Sequence, residues 1–145
     1  MAYRFSLATL LRLREIAEER EERALGQILQ QIVQAKQRIE TLRRHRIHLL
    51  ALREADLQRQ MAAAELHVSY GQIHSLERMQ QQAREQLIKL EDLRLKQMKV
   101  YEEAHRNKEL LAGMREDHLD LYRREQTRQE QNIMDDNFAS RRAMR

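Results

Sequence analysis

Residues 76–121, LERMQQQAREQLIKLEDLRLKQMKVYEEAHRNKELLAGMREDHLDL, decide the fold. Stepped alternately by three and four, they give Leu76, Met79, Ala83, Gln86, Leu90, Leu93, Gln97, Val100, Ala104, Asn107, Leu111, Met114, His118 and Leu121. Ten of these fourteen positions are apolar, and nearly everything between them is charged or glutamine. A mean step of about 3.5 residues is the seam of a helix that buries one narrow stripe against another helix. Gln86, Gln97 and Asn107 interrupt the stripe; such residues cost stability and fix register.

Toward the N-terminus the same spacing resumes as Leu25, Ile28, Ile32, Ala35, Ile39, Leu42, Arg46 and Leu49. Between the two stripes, Arg53 to Gly71 loses register: Asp56 falls on a seam position, and Val68, Ser69, Tyr70 and Gly71 are poor helix formers. The chain is therefore expected to reverse within 58–71, with helix one over about 7–57 and helix two over about 72–131; the alternative, given the weak turn chemistry, is one continuous helix in an intermolecular coiled coil. Leu49 then meets Leu76, Leu42 meets Ala83, and Ala35 meets Leu90. Ser6 is a suitable N-cap for the first helix. The expected fold is all-α: two long helices in an antiparallel coiled-coil hairpin, one domain over 1–145, with partly disordered termini.

The ends differ from the middle. Leu7, Leu10, Leu11 and Leu13 form a dense apolar cluster, either the buried end of a coiled coil or a docking surface. Arg14 to Arg23 is almost wholly charged and reads as a solvated face that its neighbour holds weakly. After Leu121 the stripe stops. Arg123 to Gln131 is polar all round, and Ile133, Met134 and Phe138 form a small apolar spot beside Asp135 and Asp136. A helix without a stripe has no tertiary support, so 132–145 is expected to be a flexible tail that orders on a partner. In an antiparallel hairpin both ends lie together, which places a docking site there.

Composition excludes most other classes. The 145 residues include no proline and only three glycines, so a compact fold with many turns is not supplied. One third of the chain is charged, with both signs mixed, as in long helices. Disorder fits such polarity but not a regular stripe. Absence of cysteine removes disulfide and thiol chemistry. No apolar run approaches the ~20 residues that span a bilayer, and Phe5 to Leu11 is too short and too soon charged for a signal peptide. The expected location is the cytoplasm, without direct membrane insertion.

A helix pair offers no concave pocket in which a nucleophile and base converge, so no enzyme, no catalytic residue and no cofactor is expected. His45 and His48 share a face, but Arg43, Arg44 and Arg46 oppose a cation there, so no metal site is read. The net charge of +4 is spread among 23 acidic residues without a basic, aromatic face, which argues against nucleic acid.

The two ends carry a resemblance. The opening Phe5-Ser-Leu-Ala-Thr-Leu-Leu-Arg-Leu-Arg-Glu15, followed by glutamate-rich sequence and Leu25-Gly26, resembles the start of the flagellar FliJ family. The ending Glu130-Gln131-Asn132-Ile133-Met134-Asp135-Asp136-Asn137-Phe138-Ala139, trailing into Arg141 and Arg142, resembles that family's terminus. Asn132 and Asp136 stand where lysine and glutamate are commoner.

The resemblance implies a component of the flagellar type III protein-export apparatus: a cytoplasmic coiled-coil stalk, peripheral at the inner face of the inner membrane. It implies three partners, namely the hexameric export ATPase, the export-gate membrane protein and the export chaperones. Carried onto this chain, the ring-facing set is Phe5, Leu7, Leu10, Leu11, Ile133, Met134, Asp135 and Phe138. The gate-facing set is Leu42, His45, Leu49, Leu76 and Ala83, four of which are also seam positions. Alternatives of the same architecture are the stalk of a virulence-type secretion ATPase and a generic coiled-coil scaffold dimer.

Overall fold

The computed structural model describes residues 2–144. It is an all-α hairpin of two long helices, α1 (Ala8–Gln58) and α2 (Ala63–Ala143), with no strand among the described residues. The chain divides into two compact units, one of Glu22–Val100 and one of Met1–Glu21 with Tyr101–Arg145.

In the unit Glu22–Val100 the two helices run antiparallel around a turn at Arg59–Ala62. Arg59 N donates to Asp56 O at 3.0 Å, and Gln60 takes the left-handed conformation with φ 60. α2 starts at Ala63, not near 72, because packing overrides the weak propensity of Val68–Gly71. Leu66 and Ser69 are half-buried, Ile73 is buried, and the Arg53 guanidinium lies 5.1 Å from the centre of the Tyr70 ring. Gly71 has only open space beside it and makes no turn.

The α1 stripe is buried as its spacing predicts: Leu25 and Ile32 are buried, and Ile28, Ala35, Ile39, Leu42, Arg46 and Leu49 are half-buried. On α2 only one of the two expected columns faces inward. Leu76, Ala83 and Leu90 are buried and Gln97 is half-buried, but the second column is displaced by one residue. Gln80 is 3% exposed while Met79 is 42% exposed. Likewise Leu87 and Arg94 turn inward, while Gln86, Leu93 and Val100 are exposed. The phase is set by Leu66 and Ile73, two heptads and one heptad before Gln80. Arginine takes inward positions by laying its methylene stem on the seam and sending its head out. Arg46 does this, with Nη2 3.0 Å from Glu77 Oε1 across the pair.

In the unit of the chain ends, Leu11 and Leu111 are the buried apolar residues among those described. The charged run Arg14–Arg23 is not simply a solvated face. Glu18 points inward with 15% of its side chain exposed, and its Oε2 lies 3.2 Å from Lys108 Nζ and 3.5 Å from His105 Nδ1. N-terminal to α1, the chain is strapped by aromatic contacts: the Tyr3 ring lies 5.6 Å from His118 and 5.3 Å from Tyr122, and Phe5 lies 5.9 Å from His118. Tyr3 OH donates to Arg115 O at 3.2 Å. α1 itself begins one residue later than Ser6 capping implies, with Ala8 N donating to Phe5 O at 3.1 Å.

Beyond Tyr122 every described residue is exposed, yet α2 continues to Ala143. Residues 132–143, expected as a tail, are thus the last turns of a helix whose described side chains here are all exposed. Its side-chain contacts are local: Thr127 Oγ1 donates to Arg123 O at 3.0 Å, and Gln126 donates to Tyr122 OH at 2.9 Å.

Candidate functional site: docking surfaces at the chain ends and beside the turn

The eight residues of the ring-facing set fall in the unit of the chain ends, but the structure divides them by role. Leu11 is buried, Phe5 and Leu7 are half-buried, and only Leu10 of that quartet is exposed. Ile133, Met134 and Phe138 are each exposed by more than half, and Asp135 is exposed beside them. Met134 and Phe138 are four residues apart and share one helix face. The two groups do not form one patch. Phe5 packs at His118, and Ile133 lies fifteen residues further along α2, roughly 20 Å at ~1.5 Å per residue. The C-terminal spot is therefore the surface left free, and the N-terminal residues are largely spent on holding the strap.

The gate-facing set lies wholly within Glu22–Val100. Leu76 and Ala83 are buried and Leu42 and Leu49 half-buried, whereas His45 is exposed. His45, Leu49 and Leu76 line a shallow cavity of about 300 Å³ with Gln72 and Ser75. His45 is thus the member of the set that presents itself to solvent.

A larger open cavity of about 400 Å³ lies beside the turn, lined by Leu49, Leu52, Arg53, Asp56, Met61 and Val68 among others. Sequence reasoning missed it, because Arg53–Gly71 was read as out of register. The aromatic strap was also missed; its signal was the placing of Tyr3, Phe5 and Tyr122 in a chain with six tyrosines and phenylalanines in all.

Electrostatics at these surfaces are local. Arg43 and Arg44 both grip Glu40, at 2.7 Å and 3.2 Å, and the Arg43 hydrogen bond foremost holds the Glu40 carboxyl down at about 2. That clamp occupies two members of the basic cluster. In the other unit Lys108 is raised by its contacts with Glu109 and Glu18, and Glu109 is lowered chiefly by Lys108. Among the described residues no group of three or more His, Asp or Glu is placed to hold a metal ion, and no helix is long and apolar enough to cross a membrane. What the arrangement offers chemically is apolar surface on stiff helices, suited to binding other proteins.

The family model described as "Flagellar FliJ protein" matches residues 3–145. No curated protein and no solved structure matches the chain. With nearly its whole length matched and its fold an all-α hairpin, the chain belongs to the FliJ family and is a component of the flagellar export apparatus.

Proposed function

We propose that this chain is the stalk of the flagellar export ATPase: it binds and activates the hexameric ring, links it to the export gate at the cytoplasmic face of the inner membrane, and assists the handling of substrate–chaperone complexes. One observation carries the reading. α2 runs on from Arg123 to Ala143 with every residue exposed, and it displays Ile133, Met134 and Phe138. A stretch of helix with no packed face lacks the main source of helical stability in proteins, so a partner that covers the spot would both bind it and stabilise it.

The mechanism follows from asymmetry. One helical shaft in a sixfold pore touches the six subunits unequally and so biases their nucleotide states. A stalk that binds only the assembled ring also promotes assembly by mass action. His45 and the residues around it would then meet the gate, while Leu42, Leu49, Leu76 and Ala83 hold the helices that present it.

The test is ATP hydrolysis by the same organism's export ATPase with this chain titrated in. Stimulation saturating near one copy per six subunits is expected, and loss of stimulation on deleting residues after Gln131. An unchanged rate at every ratio, with no complex on a sizing column, refutes the stalk. For the gate, His45→Ala should weaken capture by the gate protein's cytoplasmic domain without lowering stability; unchanged capture removes His45 from that role.

A further inference from the structure

Within Glu22–Val100 the two flanks of the helix pair differ in charge. Leu50, Tyr70 and Glu77 line a small cavity on one flank, and residues whole heptads apart stay on one flank of a supercoiled pair. Counted that way, this flank mixes both signs: Glu22, Lys36 and Arg43 on α1, and Glu77, Arg84 and Glu91 on α2. The other flank is lined at its middle by Gln31, Gln34, Arg38, Met79, Gln82 and Gln86. The heptad rows through those residues run over 24–52 on α1 and 68–100 on α2, and they hold no carboxylate. Their ionisable side chains are Arg38, Lys89, Lys96 and the histidines His45 and His48. Carboxylates return only beside the turn, at Asp56 and Glu65. In a chain with 23 acidic residues, a flank so free of them suits a partner that brings its own.

The middle of this flank is also hollow. Ala35, between Ile32 and Ile39, and Ala83, between Leu76 and Leu90, put small side chains in the seam. The space they leave is an open cavity of about 620 Å³, floored by Ala35, Ala83 and Leu90 and bordered by glutamines. Arg38 follows Ala35 by one turn, and Lys89 adjoins Leu90, one heptad after Gln82. The two cations therefore stand on the two borders of the hollow at about the same level. Both are exposed, and neither has an ion-pair partner among the described residues. Lys96, by contrast, is held by Asp92 at 3.5 Å.

We propose that this flank receives a carboxylate-bearing amphipathic helix of another protein, with its apolar side chains in the hollow and its acidic ones on Arg38 and Lys89. A hollow between two helices accepts the apolar ridge of a third. Two free cations among amides suit single carboxylates, whereas tracking a nucleic-acid backbone takes a longer run of positive charge and a bilayer surface offers no ridge to fill the hollow. His45, Leu49, Leu76 and Ala83 of the proposed gate contact lie on this flank. The inference rests on that reading only for which protein brings the helix; the charge class of the occupant is read from this chain.

Fluorescence anisotropy with the full chain tests it. The probe is a labelled synthetic helix with leucines on one face and glutamates on both borders, beside a twin in which lysines replace the glutamates. The glutamate helix is expected to bind, more weakly as salt rises, and the lysine twin is not. Arg38→Glu and Lys89→Glu should each weaken Kd about tenfold, since each turns an attraction into a repulsion. Arg84→Glu, on the other flank, should leave Kd unchanged. All three positions are exposed, so helicity should stay the same. The double variant Arg38→Glu/Lys89→Glu should take the lysine twin instead, an exchange that general loss of structure does not give. No binding of the glutamate helix, equal binding of the twins, or a Kd that Arg38→Glu and Lys89→Glu leave unmoved overturns the proposal. So does a chain that ignores the glutamate helix but sediments with phosphatidylserine vesicles. The assay holds no gate protein, so its failure is distinct from failure of the gate contact.

Discussion

Leu90→Ala and Leu93→Ala make the same chemical change three residues apart on one helix, and their costs should differ severalfold. Leu90 is 5% exposed and Leu93 is 48% exposed. Truncating Leu90 forfeits nearly all the transfer free energy of its side chain and leaves a void in the seam, about 2–3 kcal/mol together. At Leu93 half of the side chain is already wet, the vacated space opens to water, and alanine is slightly the better helix former. The cost there is about 0.5–1 kcal/mol. Urea unfolding of the full chain, followed by far-ultraviolet circular dichroism, measures both. With a slope of roughly 2 kcal/mol per molar urea, the two midpoints should stand about 1 M apart. Equal midpoints would place Leu93 in the seam beside Leu90, and the displaced column through Gln80, Leu87 and Arg94 would be wrong.

Glu40, whose carboxyl is lowered from 4.5 to about 2, contributes stability that is complete above 4.5 and lost as pH falls through about 2. Glu40→Gln should remove that acid dependence, and a carboxyl titration by NMR should show Glu40 protonating well below the ordinary glutamate value of 4.5. Glu18→Leu replaces an inward carboxylate with an apolar seam residue and should leave stability unchanged or higher. Lys108→Ala, which strands Glu18 beside His105, should lower it and speed amide exchange in both helices of that unit. Gln60→Gly relieves a left-handed backbone at the turn and should raise stability by about 0.5 kcal/mol, after the entropy that glycine adds to the unfolded chain. Truncation after Gln131 removes only exposed turns of α2, so the unfolding midpoint should not move while the helical signal falls.

The fold class was legible because a seam is a statistical property of many residues, and the α1 column survives intact from Leu25 to Leu49. Its phase on α2 was not. Each heptad has two inward positions, and the apolar count favoured Met79, Leu93 and Val100 over Gln80, Arg94 and Tyr101. Packing counts differently. A glutamine, an arginine stem and a tyrosine ring all cover a neighbouring helix, provided their polar ends reach water or a partner. Ile73 held the missing signal, since it is buried and lies one heptad before Gln80. The weak propensities of Val68–Gly71 hid it by suggesting a turn where α2 already runs.

The docking surfaces show the same rule from the other side. Polar character alone did not separate seam from surface: Glu18, in the most charged run of the chain, points inward, whereas Phe138 and Met134 point into solvent. What separates them is whether the other helix supplies a partner. Glu18 has Lys108 and His105, Tyr3 has His118 and Tyr122, and each pairing closes a stretch where the apolar stripe fails. Past Tyr122 α1 and the strap have run out, and no described residue of theirs covers α2 any longer. Apolar residues placed on that remainder add nothing to the free chain's stability, and they make its surface more costly in water. On the proposed function their position is set by a surface outside the chain, which makes Ile133, Met134 and Phe138, rather than the partly spent Phe5, Leu7 and Leu11, the stronger half of the proposed ring contact.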